Sequence, residues 1–224
     1  MAVILGIDTA TSGCAAALVQ GDRCLAGRAE RMTRGQSEVL APMIEDVIRD
    51  AGITAVSIDA IAVTRGPGAF TGLRIGLATA RALSLTLGRP CLGIGTFDVL
   101  AEQARRSGIA VLSDVLLIVI ESKRAELYVA SYAPNGQIIG AAQALLPADM
   151  PAFLGAGKRI AIAGDAAEKA EAALKGDFEV TRVDGTSVPD AEIVARLGGK
   201  YLGTPSEAPP SPLYLRPPDV TLKP

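Results

Sequence analysis

The chain contains 224 residues, of which 49% are hydrophobic, with 22 basic and 24 acidic side chains and no histidine. This hydrophobic content supports a packed core of one or two lobes, whereas a formal net charge of −2 argues against a chain that grips nucleic acid on its own. Because histidine is the usual proton shuttle and the commonest metal ligand, its absence excludes Ser-His-Asp and Cys-His catalysis and every zinc site that contains histidine.

Residues 1–108 predict an N-terminal lobe built on one mixed sheet. The segments VILGID, CAAALVQ and RCLAGRAER are three consecutive strands, and an amphipathic helix follows them. A buried strand (IDAIAVTRG), a helix from Thr71 to Leu87, a strand (PCLGIG) and a helix (TFDVLAEQARRSG) complete the order β-β-β-α-β-α-β-α. Alternation of this kind is typical of an α/β fold with helices flanking the sheet.

Residues 109–208 predict a smaller C-terminal lobe that again opens with antiparallel strands. VLLIVIES and ELYVASYA are strands, an Asn-Gly turn leads to a third, and RIAIAGD precedes an Ala- and Glu-rich helix. A later amphipathic helix lies in PDAEIVARLGGKYL. Residues 209–224 are proline-rich and predict an extended strap, because proline cannot continue a helix. The two similar openings suggest a duplicated unit.

The cysteines and the apolar segments indicate where in the cell the protein is expected. Cys14, Cys24 and Cys91 lack metal-ligand spacing and fit reduced thiols of a cytoplasmic protein. The apolar run from Thr71 to Leu87 is interrupted by two arginines, so we expect no membrane span, and no basic leader precedes Asp8, so we expect no secretory signal.

The helix from Thr71 to Leu87 carries small residues at every fourth position. Gly72, Gly76, Ala80 and Ser84 form one smooth ridge that another backbone can approach closely. Two interpretations remain open. The ridge either packs on the preceding helix of the same lobe or is presented, with that helix, to a partner protein.

A vestigial phosphate site is a second candidate. Asp8 and Thr9 follow a strand, and Gly66 and Gly68 flank Pro67 at a strand-to-helix junction, where free amides can hold an anion. A structural turn is favoured, because the junction lacks the lysine of a P-loop and Ala10 occupies the position where a phosphate loop needs glycine. We therefore expect no tightly bound cofactor, and ATP or ADP binding that is weak or shared with partners.

Several segments together resemble the bacterial TsaB (YeaZ) family. They are ILGIDTATSGCAAAL, GQSEVLAPMIEDVI, IDAIAVTRGPGAFTGLRIGLATARAL and the C-terminal PLYLR. The resemblance covers most of the first 105 residues and is weaker from Val111 to Ala208. It implies a two-lobed fold of the actin, sugar-kinase and heat-shock-ATPase type (ribonuclease H-like), in a degenerate paralogue of the catalytic subunit TsaD.

The resemblance also implies a function and partners. The family binds TsaD, and with it the ATPase TsaE, for threonylcarbamoyl transfer to N6 of adenosine 37 in tRNAs reading ANN codons. We expect a pseudo-enzyme subunit with no catalytic and no metal-binding residues of its own, tRNA contact only within the complex, and a homodimer in isolation. TsaD relatives carry a histidine metal pair at positions that match Thr96 and Leu100.

The resemblance further implies that the two helices flanking the Gly-Pro-Gly strand form a helical bundle with the equivalent pair of TsaD or of a second copy. The expected partner-binding residues are Leu40, Met43, Ile44, Val47, Gly72, Leu73, Ile75, Gly76, Thr79 and Ala80. On this basis Gly76→Leu is expected to abolish the heterodimer while the monomer stays folded.

Two other functions compete with the scaffold. An active ATPase or small-molecule kinase of the same superfamily would need a glycine-rich adenosine loop, for which only Gly164-Asp165 is available. A metallopeptidase would need the missing histidines.

Overall fold

The computed structural model describes residues 1–155, 159–204 and 208–216, which form two lobes with one five-stranded mixed sheet each. The first sheet contains β1 (Val3–Asp8), β2 (Gly13–Gln20), β3 (Arg23–Arg31), β4 (Ala60–Gly66) and β5 (Cys91–Gly95) in the order β3-β2-β1-β4-β5. The second contains β6 (Val115–Ile120), β7 (Leu127–Tyr132), β8 (Ile138–Leu145), β9 (Arg159–Ala163) and β10 (Glu179–Arg182) in the order β10-β9-β6-β7-β8.

The two sheets repeat one topology. In each, the first strand pairs antiparallel with the second and parallel with the fourth. The duplicated unit and the mixed sheets flanked by helices are confirmed. β10 was missed in the sequence, because its four residues are largely exposed and carry no apolar alternation.

Within the described ranges, six α-helices cover the sheets. They are α1 (Gln36–Asp50), α2 (Phe70–Leu87), α3 (Thr96–Arg106), α4 (Met150–Leu154), α5 (Ala167–Leu174) and α6 (Ala191–Gly199). α1 and α2 lie on one face of the first sheet, where the apolar stripe of α1 enters the core with β1, β2 and β4. The described residues contain no helix long and apolar enough to cross a membrane.

Two helices connect the lobes. α6 packs on the first sheet, although it follows the second in sequence, so closely that a Cβ on Gly6 would overlap the Ala191 carbonyl oxygen. α3 lies between the lobes: it buries Val99 against the first sheet and Phe97 and Leu100 in the core of the second lobe.

The described part of the C-terminal tail, residues 208–216, contains no helix or strand. The Leu213 amide donates to the Arg65 carbonyl oxygen (2.7 Å), and Leu215 packs against the core of the second lobe. The remainder of the predicted strap, 217–224, lies outside the described residues. Residues 208–216 thus link the end of β4 to the second lobe.

Candidate functional site

The helix pair α1–α2 is the first candidate site, and the structure buries most of the residues expected to contact a partner there. Eight of the ten lie in the interior of the lobe: Leu40, Met43, Ile44, Val47, Gly72, Leu73, Gly76 and Ala80. Ile75 and Thr79 are half-buried. The apolar spacing correctly identified the buried face of each helix, but a buried face is the one that a partner cannot reach.

The glycine ridge of α2 packs against the turn between β1 and β2. A Cβ on Gly72 would overlap the Thr9 carbonyl oxygen, and a Cβ on Gly76 would overlap Thr9 Oγ1. Thr9 Oγ1 also donates to the Gly72 carbonyl oxygen (2.7 Å). The close backbone approach lies within the lobe, and the approaching residue is Thr9 and not a residue of α1. These contacts argue against the expectation that Gly76→Leu spares the monomer.

The solvent-exposed side of the helix pair carries charged residues and, among them, a set of uncharged residues that are mostly small. We call this set the neutral strip; it comprises Ala41, Thr71, Ala78, Ala82 and Leu85. Leu85 is 86% exposed, which is unusual for a leucine on a helix. Small side chains at the helix surface allow a second helix layer to approach closely. The strip has the composition of a docking surface, and the sequence signal that could have found it is the i, i+4 pair Ala78 and Ala82.

The strap lies along one flank of α2. Tyr214 stacks on Phe70, with ring centroids 5.5 Å apart, and the Arg74 guanidinium lies 3.8 Å from the centroid of the Phe70 ring. Farther along the helix, Arg81 Nε donates to the Pro210 carbonyl oxygen (3.1 Å). The strap therefore forms one edge of the exposed face.

The second candidate site is the region where the turn after β1 meets the second lobe, which we call the lobe junction; Asp8 is the last residue of β1 before that turn. Asp8 is fully buried; its Oδ1 accepts hydrogen bonds from Thr64 Oγ1 (2.6 Å) and the Ala10 amide (3.2 Å). Its Oδ2 has no partner among the described residues. Burial raises the pKa of the Asp8 carboxyl to about 7, against the lowering effect of the two hydrogen bonds. A carboxyl group in this state is largely neutral below pH 7.

The glycines of the predicted phosphate site are packed against protein. A Cβ on Gly68 would overlap the Ala10 carbonyl oxygen, which also accepts a hydrogen bond from the Ala69 amide (2.7 Å). Gly66 has a φ of +113° and lies against Leu213 of the strap, and its peptide bond to Pro67 is cis. The structure thus brings Asp8, Thr9 and Gly68 together, but the turn after β1 fills the space beside them.

Polar contacts join the two lobes at the lobe junction. Ser12 Oγ donates to Asp165 Oδ2 (3.1 Å), and Thr11 Oγ1 donates to the Ser187 carbonyl oxygen (2.9 Å). Asp165 Oδ1 accepts from the Glu121 amide (2.8 Å). Burial raises the pKa of Asp165 as well. Asp165 is therefore a residue of the lobe junction. The sequence suggested it only as part of a candidate adenosine loop.

The positions that match the metal pair of TsaD lie at the start of α3. Thr96 and Leu100 are fully buried, and Thr96 Oγ1 has no partner among the described residues. A leucine side chain offers no ligand atom. No group of three or more Cys, Asp or Glu residues within 1–155, 159–204 and 208–216 is arranged to hold a metal ion.

We predict that Asp8 makes the stability of the protein depend on pH. In the unfolded chain the Asp8 carboxyl ionises near pH 4, but in the folded chain its pKa is about 7. The folded state therefore holds an extra proton between these values, so stability falls as pH rises from 4 to 7, by on the order of 4 kcal/mol in total. Asp8→Asn should remove this fall, as urea denaturation at pH 5, 6, 7 and 8 will test.

Asp177→Asn, an exposed aspartate of the second lobe, is the control for this titration. It makes the same carboxylate-to-amide change at a solvent-exposed position. A constant difference between Asp8→Asn and the wild type would contradict the assignment.

Comparisons with known proteins relate the chain to tRNA modification. The family model described as TsaD, tRNA N6-adenosine threonylcarbamoyltransferase, matches residues 30–187. The chain is 36% identical over 129 residues to the tRNA threonylcarbamoyladenosine biosynthesis protein TsaB of Escherichia coli, a match that covers 58% of this chain and 54% of that protein. The match thus spans about half the length of that relative.

Two further comparisons extend over nearly the whole chain. An uncharacterized protein of Mycobacterium tuberculosis is 34% identical over 224 residues, covering 98% of this chain and 94% of that protein. A crystal structure from Pseudomonas aeruginosa, described as similar to the peptidase YeaZ, superposes with a TM-score of 0.80 at 27% identity, covering 96% of this chain and 100% of the other.

Proposed function

The chain belongs to the TsaB (YeaZ) family, and from this premise we propose that it is a non-catalytic scaffold and activator that binds TsaD. Its relatives are named for the biosynthesis of threonylcarbamoyladenosine in tRNA. In this proposal TsaD performs the transfer to N6 of adenosine 37, and the chain holds TsaD in its active arrangement.

The single observation that carries the proposal is the neutral strip. Ala41 on α1 and Ala78 and Ala82 on α2 are exposed, although residues on the opposite faces of the same helices are fully buried. An exposed surface of small uncharged residues, with Leu85 protruding at one end, buries apolar area when a second helix pair packs on it. The family model for TsaD spans both helices, so a TsaD subunit offers a corresponding helix pair.

The geometry of the lobe junction supports a non-catalytic role. The carbonyl oxygen of Ala10 lies against Gly68, and α2 packs on Thr9, so these two residues of the turn after β1 are engaged with their own lobe. A phosphate loop needs free amides and open space at this position. We propose that nucleotide binding by the chain alone is at most weak, and that any ATP or ADP site is shared with partners.

The remaining partners follow from the same proposal. TsaE would join through the TsaD complex, tRNA would be contacted only as part of that complex, and the helix pair of an isolated chain would pair with a second copy. Because tRNA modification takes place where tRNA is used, we propose a cytoplasmic location.

The experiment is reconstitution with the TsaD protein of the same cell. The proposal predicts co-purification of the two chains in a stoichiometric complex, and tRNA modification by TsaD and TsaE that depends on adding this chain. Full modification activity without the chain, or turnover of a substrate by the chain alone, would overturn it.

A further inference from the structure

Two arginines on the exposed side of α2 have no carboxylate partner among the residues that the structure describes. Arg74 contacts the Tyr214 hydroxyl (Nε to oxygen, 3.3 Å) and the Phe70 ring, and Arg81 contacts the Pro210 carbonyl oxygen. Neither forms an ion pair within the part of the chain that the structure describes. α2 contains no acidic residue, and 208–216 contains none either. The flank of α2 therefore carries positive charge that its own lobe does not neutralise.

The exposed side of α1 carries the opposite charge. Glu38 and Glu45 are exposed, and neither has an ion-pair partner among the described residues. They are seven residues apart, as Arg74 and Arg81 are, which places each pair about 10.5 Å apart along its helix axis. The helical periodicity of α2 puts Ala78 and Ala82 of the neutral strip beside the arginine row, and α1, which carries the glutamate row, packs against α2.

We propose that these two rows set the register of TsaD on the neutral strip. This inference rests on the proposed function. The docking surface of TsaD would present carboxylates opposite Arg74 and Arg81 and basic side chains opposite Glu38 and Glu45, with the same spacing of about 10.5 Å. Phe70 (46% exposed) and Tyr214 (39% exposed) would rest against the partner at the arginine end. Aromatic and arginine side chains are the residues most enriched at interface hot spots.

The charge pattern favours a protein over a nucleic acid as the occupant. A phosphate backbone would be attracted by the arginine row, but the glutamate row on the same face would repel it. The aromatic rings of Phe70 and Tyr214 stack on each other, which reduces the ring surface left for an unpaired base. A protein surface of mixed charge can satisfy both rows together.

The test compares association kinetics of the full chain with TsaD over a range of salt concentrations. Arg74→Gln combined with Arg81→Gln should slow association about tenfold at low salt and flatten its salt dependence, with a smaller effect on dissociation. Glu38→Gln combined with Glu45→Gln should act in the same direction. The control is Lys175→Gln combined with Arg182→Gln, which removes two exposed positive charges from the second lobe and should leave the rate unchanged.

The outcomes separate this inference from the proposed function. If the wild-type chain forms no complex with TsaD, the proposed function fails. If the complex forms but both double variants associate at the wild-type rate with the wild-type salt dependence, only the charge register is overturned. It is equally overturned if the variants weaken only self-association of this chain or only binding to tRNA. Thermal unfolding of each variant checks that the strap contacts of Arg74 and Arg81 are not needed for folding.

Discussion

Ala78→Trp is expected to weaken binding to TsaD at least about a hundredfold, or roughly 3 kcal/mol, while the monomer stays folded. Ala78 lies at the centre of the neutral strip and its side chain is exposed. An indole there extends into the space that a second helix layer would occupy, and interfaces packed as tightly as protein cores do not absorb such a volume. In the free chain the ring lies in solvent, so the cost is limited to a few tenths of a kcal/mol of helix propensity.

The matched control places the same side chain on another helix. Ala172 is an exposed alanine of α5 in the second lobe, so Ala172→Trp changes size and hydrophobicity equally but lies far from the strip in the fold. Titration calorimetry with TsaD should give wild-type affinity for Ala172→Trp. Wild-type affinity for Ala78→Trp as well would remove α2 from the interface.

The sequence predicted the elements of the fold better than their arrangement. The apolar spacing located α1 and α2, and the repeated strand openings predicted two similar sheets, because these signals depend on residues close in the chain. Packing α6 on the first sheet and α3 in the second lobe depends on contacts between distant segments, such as Gly6 with Ala191. A local pattern shows that a helix has a buried face but not which sheet covers it.

The candidate site shows the same limit of prediction from local patterns: the spacing identified a closely packed side of α2 but not the residue packed against it. The four-residue spacing of Gly72, Gly76 and Ala80 correctly indicated a close backbone approach, yet the approaching group is Thr9, which precedes Gly72 by 63 residues. The longer pattern of small residues therefore indicated the buried side of α2. The shorter pattern, Ala78 with Ala82, lies on the exposed side and did not enter the prediction. Contacts between the lobes, such as that of Ser12 with Asp165, produce no periodic pattern in the sequence, so periodicity cannot predict them.

Gly76→Leu is expected to destabilise the monomer by about 3 kcal/mol or more, in contrast to the expectation drawn from the sequence. The new Cβ would overlap Thr9 Oγ1 and lie 3.5 Å from Val63 Cγ2, and the rest of the leucine side chain has no space between α2 and the sheet. Relief would require moving the turn after β1 away from α2, which breaks the Thr9 hydrogen bond to the Gly72 carbonyl oxygen. The turn that carries Asp8 would be displaced with it.

Ala78→Leu is the comparison that isolates this effect, because it adds the same side chain two residues away on the exposed side of the same helix. Urea denaturation should give Ala78→Leu a stability within about 0.5 kcal/mol of the wild type. Equal midpoints for the two leucine variants would show that the ridge is not packed against Thr9. If the midpoints differ as expected, loss of the TsaD complex in Gly76→Leu reports only unfolding, and substitutions on the exposed side are the ones that report on docking.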